Sequence, residues 1–205
     1  FNLTPVLLRQ LKDYVDNGAQ DRYWALTEKP AAQLTEADKT FVLRRFFDAN
    51  WDHVIKVYPR YKELLDKRGG SSDEAIASAL TSFTEQDVRD LQVWFNLAWM
   101  DPDELAKQPL KALVDKGRGF AESDKPVIFN ETRRIMAQVI AIHKQLQDAG
   151  QIEVTTTPYA HPIVPLLLDF QCAREVMPQA PLPLLPKYPG GEEQARWHIC
   201  EGIET

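Results

Sequence analysis

The sequence predicts a mainly helical chain of the α/β class, in which two short parallel strands are held apart by a long helical stretch. Three observations carry that expectation. The segment Gly150-Gln151-Ile152-Glu153-Val154-Thr155-Thr156-Thr157-Pro158 places β-branched residues between a glycine and a proline, which marks a strand over Ile152 to Thr156. Phe1 to Leu3 reads as extended and feeds a helix at Thr4-Pro5. Between the two, from Leu34 to Leu146, apolar residues recur at helical spacing, and a long crossover between parallel strands is expected to be helical.

The elements follow in order. Thr4 caps a first helix with Pro5 at its first position, and Val6, Leu7, Leu8, Leu11 and Val15 form its apolar stripe up to Gly18. A second runs from Asp21 to Lys29 and stops before Pro30. A third opens at Thr35, with Asp38 as the partner of a capping box, and continues through Phe41, Val42, Phe46 and Trp51. Pro59 starts another, closed by Gly69-Gly70. Ser71 to Ser82, small and polar, reads as a surface loop, with a short helix within it as the alternative.

Thr84 with Asp87 caps a helix carrying Val88, Leu91, Phe95 and Ala98, broken at Asp101-Pro102-Asp103. One helix is expected from Asp103 to Lys116, then a turn at Gly117 and Gly119. Ser123 to Ala149 is the longest helix, with Ile128, Ile135, Met136, Val139, Ile142 and Leu146 on one face and Gly150 as its stop. Met177 to Pro189 is too rich in proline for regular structure, and a last helix begins at Glu192.

A chain of 205 residues, 44% hydrophobic and 26% charged, can bury one sizeable core. Its longest apolar runs, such as Ile163 to Leu168, fall far short of the roughly 18 residues of a spanning helix, so no membrane partner is expected. The net charge of -6, with basic residues interspersed among acids, argues against nucleic acid. A neutral ligand is indifferent to that sign. Cys172 and Cys200 read as buried thiols rather than a bridge, and His53, His143, His161 and His198 are too scattered for a zinc site. No metal and no cofactor are expected. No signal peptide opens the chain, so a cytoplasmic location is expected, with secretion left open because the sequence does not begin with Met.

The stretch GQIEVTTTPYAHPIVPLL, with FNLTPVLLRQLKDY, ANWDHVIKVYPRYKELLDKRG, TEQDVRDLQVWFNLAWMDP, DFQCAREVMP and EEQARWHI in the same order, resembles glycoside hydrolase family 57, and within it the amylopullulanase-type branch. The resemblance implies a retaining enzyme acting on α-glucans and a (β/α)7 barrel, of which residues 1–205 are a part. Residues 34–149 would then be a helical insertion, and 150–169 a strand with its substrate-side loop. In the family a His-Gln-Pro motif precedes the part that begins at Phe1, and the nucleophilic glutamate and acid/base aspartate follow the part that ends at Thr205. The chain therefore reads as a fragment with no catalytic residue of its own, inactive alone and prone to self-association through truncated barrel edges.

Matched to the family pattern, Glu153 takes a substrate-side position; its alternative is a solvent-facing residue of an alternating strand. His161, in the proline-bounded loop beyond the strand, is either a sugar-hydroxyl contact or a histidine bonded to backbone, and Tyr159 and Thr157 are candidate wall residues. Asn2 is a candidate by position at the end of the first strand. Trp94, Phe95 and Trp99 share one helix with Asn96, a pattern of core residues, except that Trp99 beside Asp101 at the helix end can face a cleft where sugar rings stack. A second class remains open: a helical carbohydrate-binding or protein-interaction module without catalysis, supported by the helix-rich middle.

Overall fold

The computed structural model describes residues 1–205. The chain divides into a helical unit, Gln20–Arg134, and a second unit made of Phe1–Ala19 with Ile135–Thr205. Every buried hydrophobic residue except Ala195 belongs to the helical unit.

That unit begins with α2, Arg22–Glu28, after α1, Pro5–Asp16, of the other unit. Helix α3, Glu36–Arg45, has the predicted reciprocal cap between Thr35 and Asp38. Helix α4, Pro59–Arg68, starts at its proline and ends at Gly69, whose φ of 71° suits a residue without a Cβ. Next come α5, Asp73–Ser82, then α6, Glu85–Leu97, opened by the Thr84–Asp87 cap, α7, Pro102–Leu105, and α8, Leu110–Lys116. Helix α9, Lys125–Asp148, follows a short turn at Glu122–Asp124; only its part up to Arg134 belongs to this unit.

Three expectations for the helical unit need correction. Helix α3 stops at Arg45, and Trp51, 47% exposed, opens a separate π-helical turn, Trp51–Ile55, where Asn50 accepts from the Asp52 and His53 N–H groups. Ser71 to Ser82 is mostly the helix α5, longer than the short helix allowed within a loop: Ser72 caps it through the Ala75 N–H, and Ile76 and Ala79 are buried. Small residues concealed that face. The single helix from Asp103 to Lys116 is two, α7 and α8, because Pro109 has no N–H to continue the ladder.

Helix α6 is the centre of the unit, with residues on all its faces buried, Val88, Leu91, Trp94 and Leu97 among them. Its polar groups must therefore find partners inside the fold. Arg60 bridges Asp87 at 2.6 Å and Asp90 at 2.8 Å, and Lys67 reaches Asp87 at 2.7 Å. Asp90 also accepts from the Phe120 N–H at 3.0 Å. The Gln92 amide donates to the Leu26 carbonyl at 2.6 Å, and the Trp94 indole to the Gly117 carbonyl at 2.8 Å.

In the second unit, β1, Asn2–Leu3, lies parallel to β2, Thr155–Thr156, with Asn2 opposite Thr155 and Leu3 opposite Thr156. The parallel pairing matches expectation. The strand is shorter than the expected Ile152 to Thr156: only Thr155 and Thr156 are paired, and beyond Leu3 the partner turns into α1 at Thr4-Pro5. The extended chain before β2 is still tied, since the Phe1 nitrogen donates to the Glu153 carbonyl at 2.5 Å. Short helices α10, Val164–Leu168, and α11, Ala173–Val176, precede a proline-rich loop and α12, Gly191–Glu204. Cys172 is half-buried and Cys200 exposed, both free, so the expected pair of buried thiols is corrected: unlike the helical unit, this one buries almost no apolar side chain. No helix is long and apolar enough to cross a membrane.

Burial works against the charge on Asp87, but hydrogen bonds from Lys67, from the Thr84 N–H and hydroxyl, and from Arg60 outweigh it and hold the carboxyl well below the usual carboxylate range. A carboxyl depressed in the folded state contributes stability above its unfolded value, about 3.9, and that contribution is lost as pH falls through the folded value. Asp87→Asn should lower unfolding free energy at pH 7 by about 3 kcal/mol, since it leaves Arg60 and Lys67 short of a partner. Melting temperatures measured down to about pH 2 should fall less steeply in the variant than in the parent.

Candidate functional site

The chain leaving β2 forms a tight loop against α12. The Tyr159 N–H donates to the His198 carbonyl at 2.7 Å, and the Ala160 N–H reaches His198 Nδ1 at 3.4 Å. On its other side, the Val6 N–H donates to the Tyr159 carbonyl at 3.0 Å. The Tyr159 ring meets Trp197 edge-on at 5.5 Å between centroids and lies beneath the Arg9 guanidinium at 4.8 Å, while Arg9 is itself paired with Glu201. Residues of α1, the loop and α12 thus converge on one ring.

Glycine makes the approach of α12 close enough for this. A Cβ on Gly202 would stand 2.8 Å from the Thr157 carbonyl oxygen and 3.0 Å from the Tyr159 nitrogen. At the other end of the helix, a Cβ on Gly191 would collide with the Leu167 carbonyl. The Thr157 hydroxyl is buried and has no hydrogen-bond partner. Such a group is costly to leave unmet, and so marks a place where a polar atom can be received.

His161 is exposed and adopts φ 54°, a left-handed conformation that costs a side-chain-bearing residue about 1 kcal/mol or more. The turn that imposes it is closed by the His161 N–H on the Pro158 carbonyl at 2.7 Å. Glu153 is exposed between half-buried Ile152 and Val154, and Asn2 is exposed on β1. Thr157 and Tyr159 are therefore gathered against α12, whereas the Glu153 and His161 side chains stand in solvent. Reading the sequence alone missed Arg9, Trp197, His198 and Gly202 as the partners of this loop. The EEQARWHI segment held the signal, since its aromatic pair precedes a glycine at helical spacing.

Trp99 belongs to the helical unit. It lies just beyond α6, is 61% exposed, and borders a groove of about 450 Å³ whose walls include Tyr23, Asp48 and Asn96. Trp94 and Phe95, in contrast, are core residues, as their helical spacing predicts. No three His, Cys, Asp or Glu side chains converge in a way that could hold a metal ion.

The sequence model of glycosyl hydrolase family 57 matches residues 15–198. The chain belongs to glycosyl hydrolase family 57. The match spans both units, and includes the loop beyond β2, the Trp99 groove and the Trp197-His198 pair. Comparisons with curated proteins and with solved structures returned no match. Membership carries glycoside hydrolysis as the chemistry of this family 57 protein.

Gly202→Ala should push α12 and the loop apart, because the obstacle is main chain on both sides. A loss of about 1–3 kcal/mol in chemical denaturation is expected, together with a change in the near-ultraviolet signal of Trp197 and Tyr159.

Proposed function

We propose that this chain forms the substrate side of a retaining hydrolase of α-glucans, of the amylopullulanase type, whose two reacting carboxyl groups lie outside residues 1–205. The observation that carries the reading is the loop beyond β2: a histidine kept exposed at unfavourable φ, beside a tyrosine ring held by Arg9 and Trp197 and an unmet threonine hydroxyl. Backbone strain of this kind gathers where a side chain must be presented to a ligand. In this reading β1 and β2 are two strands of a (β/α)7 barrel, and residues 34–149 a helical insertion between them. Ligand groups in such barrels collect beyond the carboxyl ends of strands.

The division of labour follows from the chemistry. Retention requires a nucleophile and an acid/base group about 5–5.5 Å apart across the scissile bond, with a covalent glycosyl-enzyme between the two steps. Glu153, His161 and Asn2 supply hydrogen bonds to sugar hydroxyls, and Thr157 and Tyr159 wall the subsite. None of them bonds to the anomeric carbon. The second unit also leaves Ile163, Leu168, Ile199 and Ile203 exposed, as expected of a layer whose neighbours in a barrel are missing, and in isolation such faces favour self-association. A non-catalytic carbohydrate-binding or protein-interaction module is the second reading, favoured by the separate core of the helical unit.

In the protein carrying the complete family domain, Glu153→Gln should lower turnover of soluble starch tenfold or more, a barrier increase of about 1.4 kcal/mol, with an unchanged melting temperature. Loss of melting temperature with full turnover would make Glu153 structural and sink the assignment. His161→Gly should keep or raise the melting temperature, since glycine accepts the left-handed backbone, while turnover falls. Purified residues 1–205 should release no sugar from maltooligosaccharides or pullulan; inhibitor-sensitive release would show a catalytic pair within the chain.

A further inference from the structure

We infer that the groove beside Trp99 binds a short stretch of α-glucan by stacking sugar rings on fixed aromatic side chains. The choice of an α-glucan rests on the function proposed above; the groove's suitability for a neutral sugar stands on its own geometry. Its floor is held rigid. The Tyr23 ring stacks on Phe46 at 5.8 Å and on Phe95 at 5.5 Å, and Phe46 stacks on Phe95 at 4.4 Å. Trp99 stands at the rim, 61% exposed.

The polar groups around these rings suit hydroxyls. Both donors of the Asn96 amide are committed, to the Thr27 hydroxyl at 3.0 Å and the Gln92 carbonyl at 2.8 Å, so its carbonyl oxygen is held in place as an acceptor. One oxygen of the half-exposed Asp48 carboxylate meets Arg45 at 3.2 Å, and the other is available to accept. No lysine or arginine lines the groove, which disfavours an anionic ligand. Asp21 is engaged at the start of α2, where it accepts from the Trp24 N–H at 2.8 Å, and Asp48 is partly neutralised by Arg45, which disfavours a cation. Flat apolar faces with oxygen acceptors at their margins, in a groove of about 450 Å³, match a neutral polyol with apolar ring faces. The volume is within the range of about 300–1,000 Å³ of small-molecule sites. A lone exposed tryptophan would need no explanation, but one that completes a rigid aromatic trough does.

The test is calorimetric titration of residues 1–205 with maltoheptaose and with cellohexaose. Saturable binding of maltoheptaose is expected, weaker by about tenfold or more in Trp99→Ala, partly restored in Trp99→Phe, with the melting temperature unchanged because the indole is exposed. Three results overturn the inference: no saturable binding by the parent chain, equal affinity in Trp99→Ala, or cellohexaose bound as tightly as maltoheptaose. The difference between parent and Trp99→Ala reports on the groove alone, whereas turnover of Glu153→Gln reports on the loop beyond β2, so failure of one is separable from failure of the other.

Discussion

A helix buried over most of its surface has little solvent side on which to place its polar groups, and α6 obliges the helical unit to meet that constraint. Asp87 and Asp90 fall on turns that face Arg60 and Lys67 of α4, and the charges are matched within the fold. Gln92 ties α6 to the end of α2 through the Leu26 and Lys29 carbonyls, and Asn96 adds Thr27. These bonds set the position of α2 relative to α6, and hence of Tyr23 relative to Phe95. The trough beside Trp99 is thus a product of polar satisfaction several residues away. The satisfaction is not complete: the Gln92 carbonyl oxygen is buried without a partner, and so are Nε and Nη2 of Arg68, whose guanidinium lies over the Phe47 ring at 4.6 Å. A cation over an aromatic face recovers part of that cost.

Local signals were legible in the sequence where a short-range rule decides the outcome. Thr35 with Asp38 and Thr84 with Asp87 announce helix starts because cap and partner are three residues apart, and Pro5, Pro59 and Gly150 mark boundaries through backbone geometry alone. Long-range pairing was not legible. Asp87 and Asp90 look like a solvated face until Arg60, 27 and 30 residues away, is folded against them. Helix α5 was hidden because a buried alanine carries no periodic apolar signal, and the divided α7 and α8 because apolar spacing continued across Pro109 while the hydrogen-bond ladder could not.

The same division applies to the candidate site. Composition and β-branching located the exit of β2, and the resemblance to family 57 singled out Glu153 and His161 as candidates. What fixes the loop is the closeness of α12, permitted at Thr157 and Tyr159 by Gly202 more than forty residues later. No rule of spacing announces such a contact. Nor did the sequence disclose that His161 lies in the left-handed region, since that follows from how the turn between two prolines closes.

The pairing of Asn2 with Thr155 has a consequence for the life of the chain on the ribosome. A ladder this short contributes little, and closing a loop of that length carries an entropic cost that two hydrogen-bonded pairs cannot offset in an open chain. The core of Gln20–Arg134 is complete before Thr155 is synthesised, and its collapse shortens the effective loop from an open coil to a compact body. The order of synthesis is then also the order of assembly. Asn2 and Leu3 are made long before Thr155 and Thr156, and brevity and the proline that follows limit what else they can pair with until those partners come into reach.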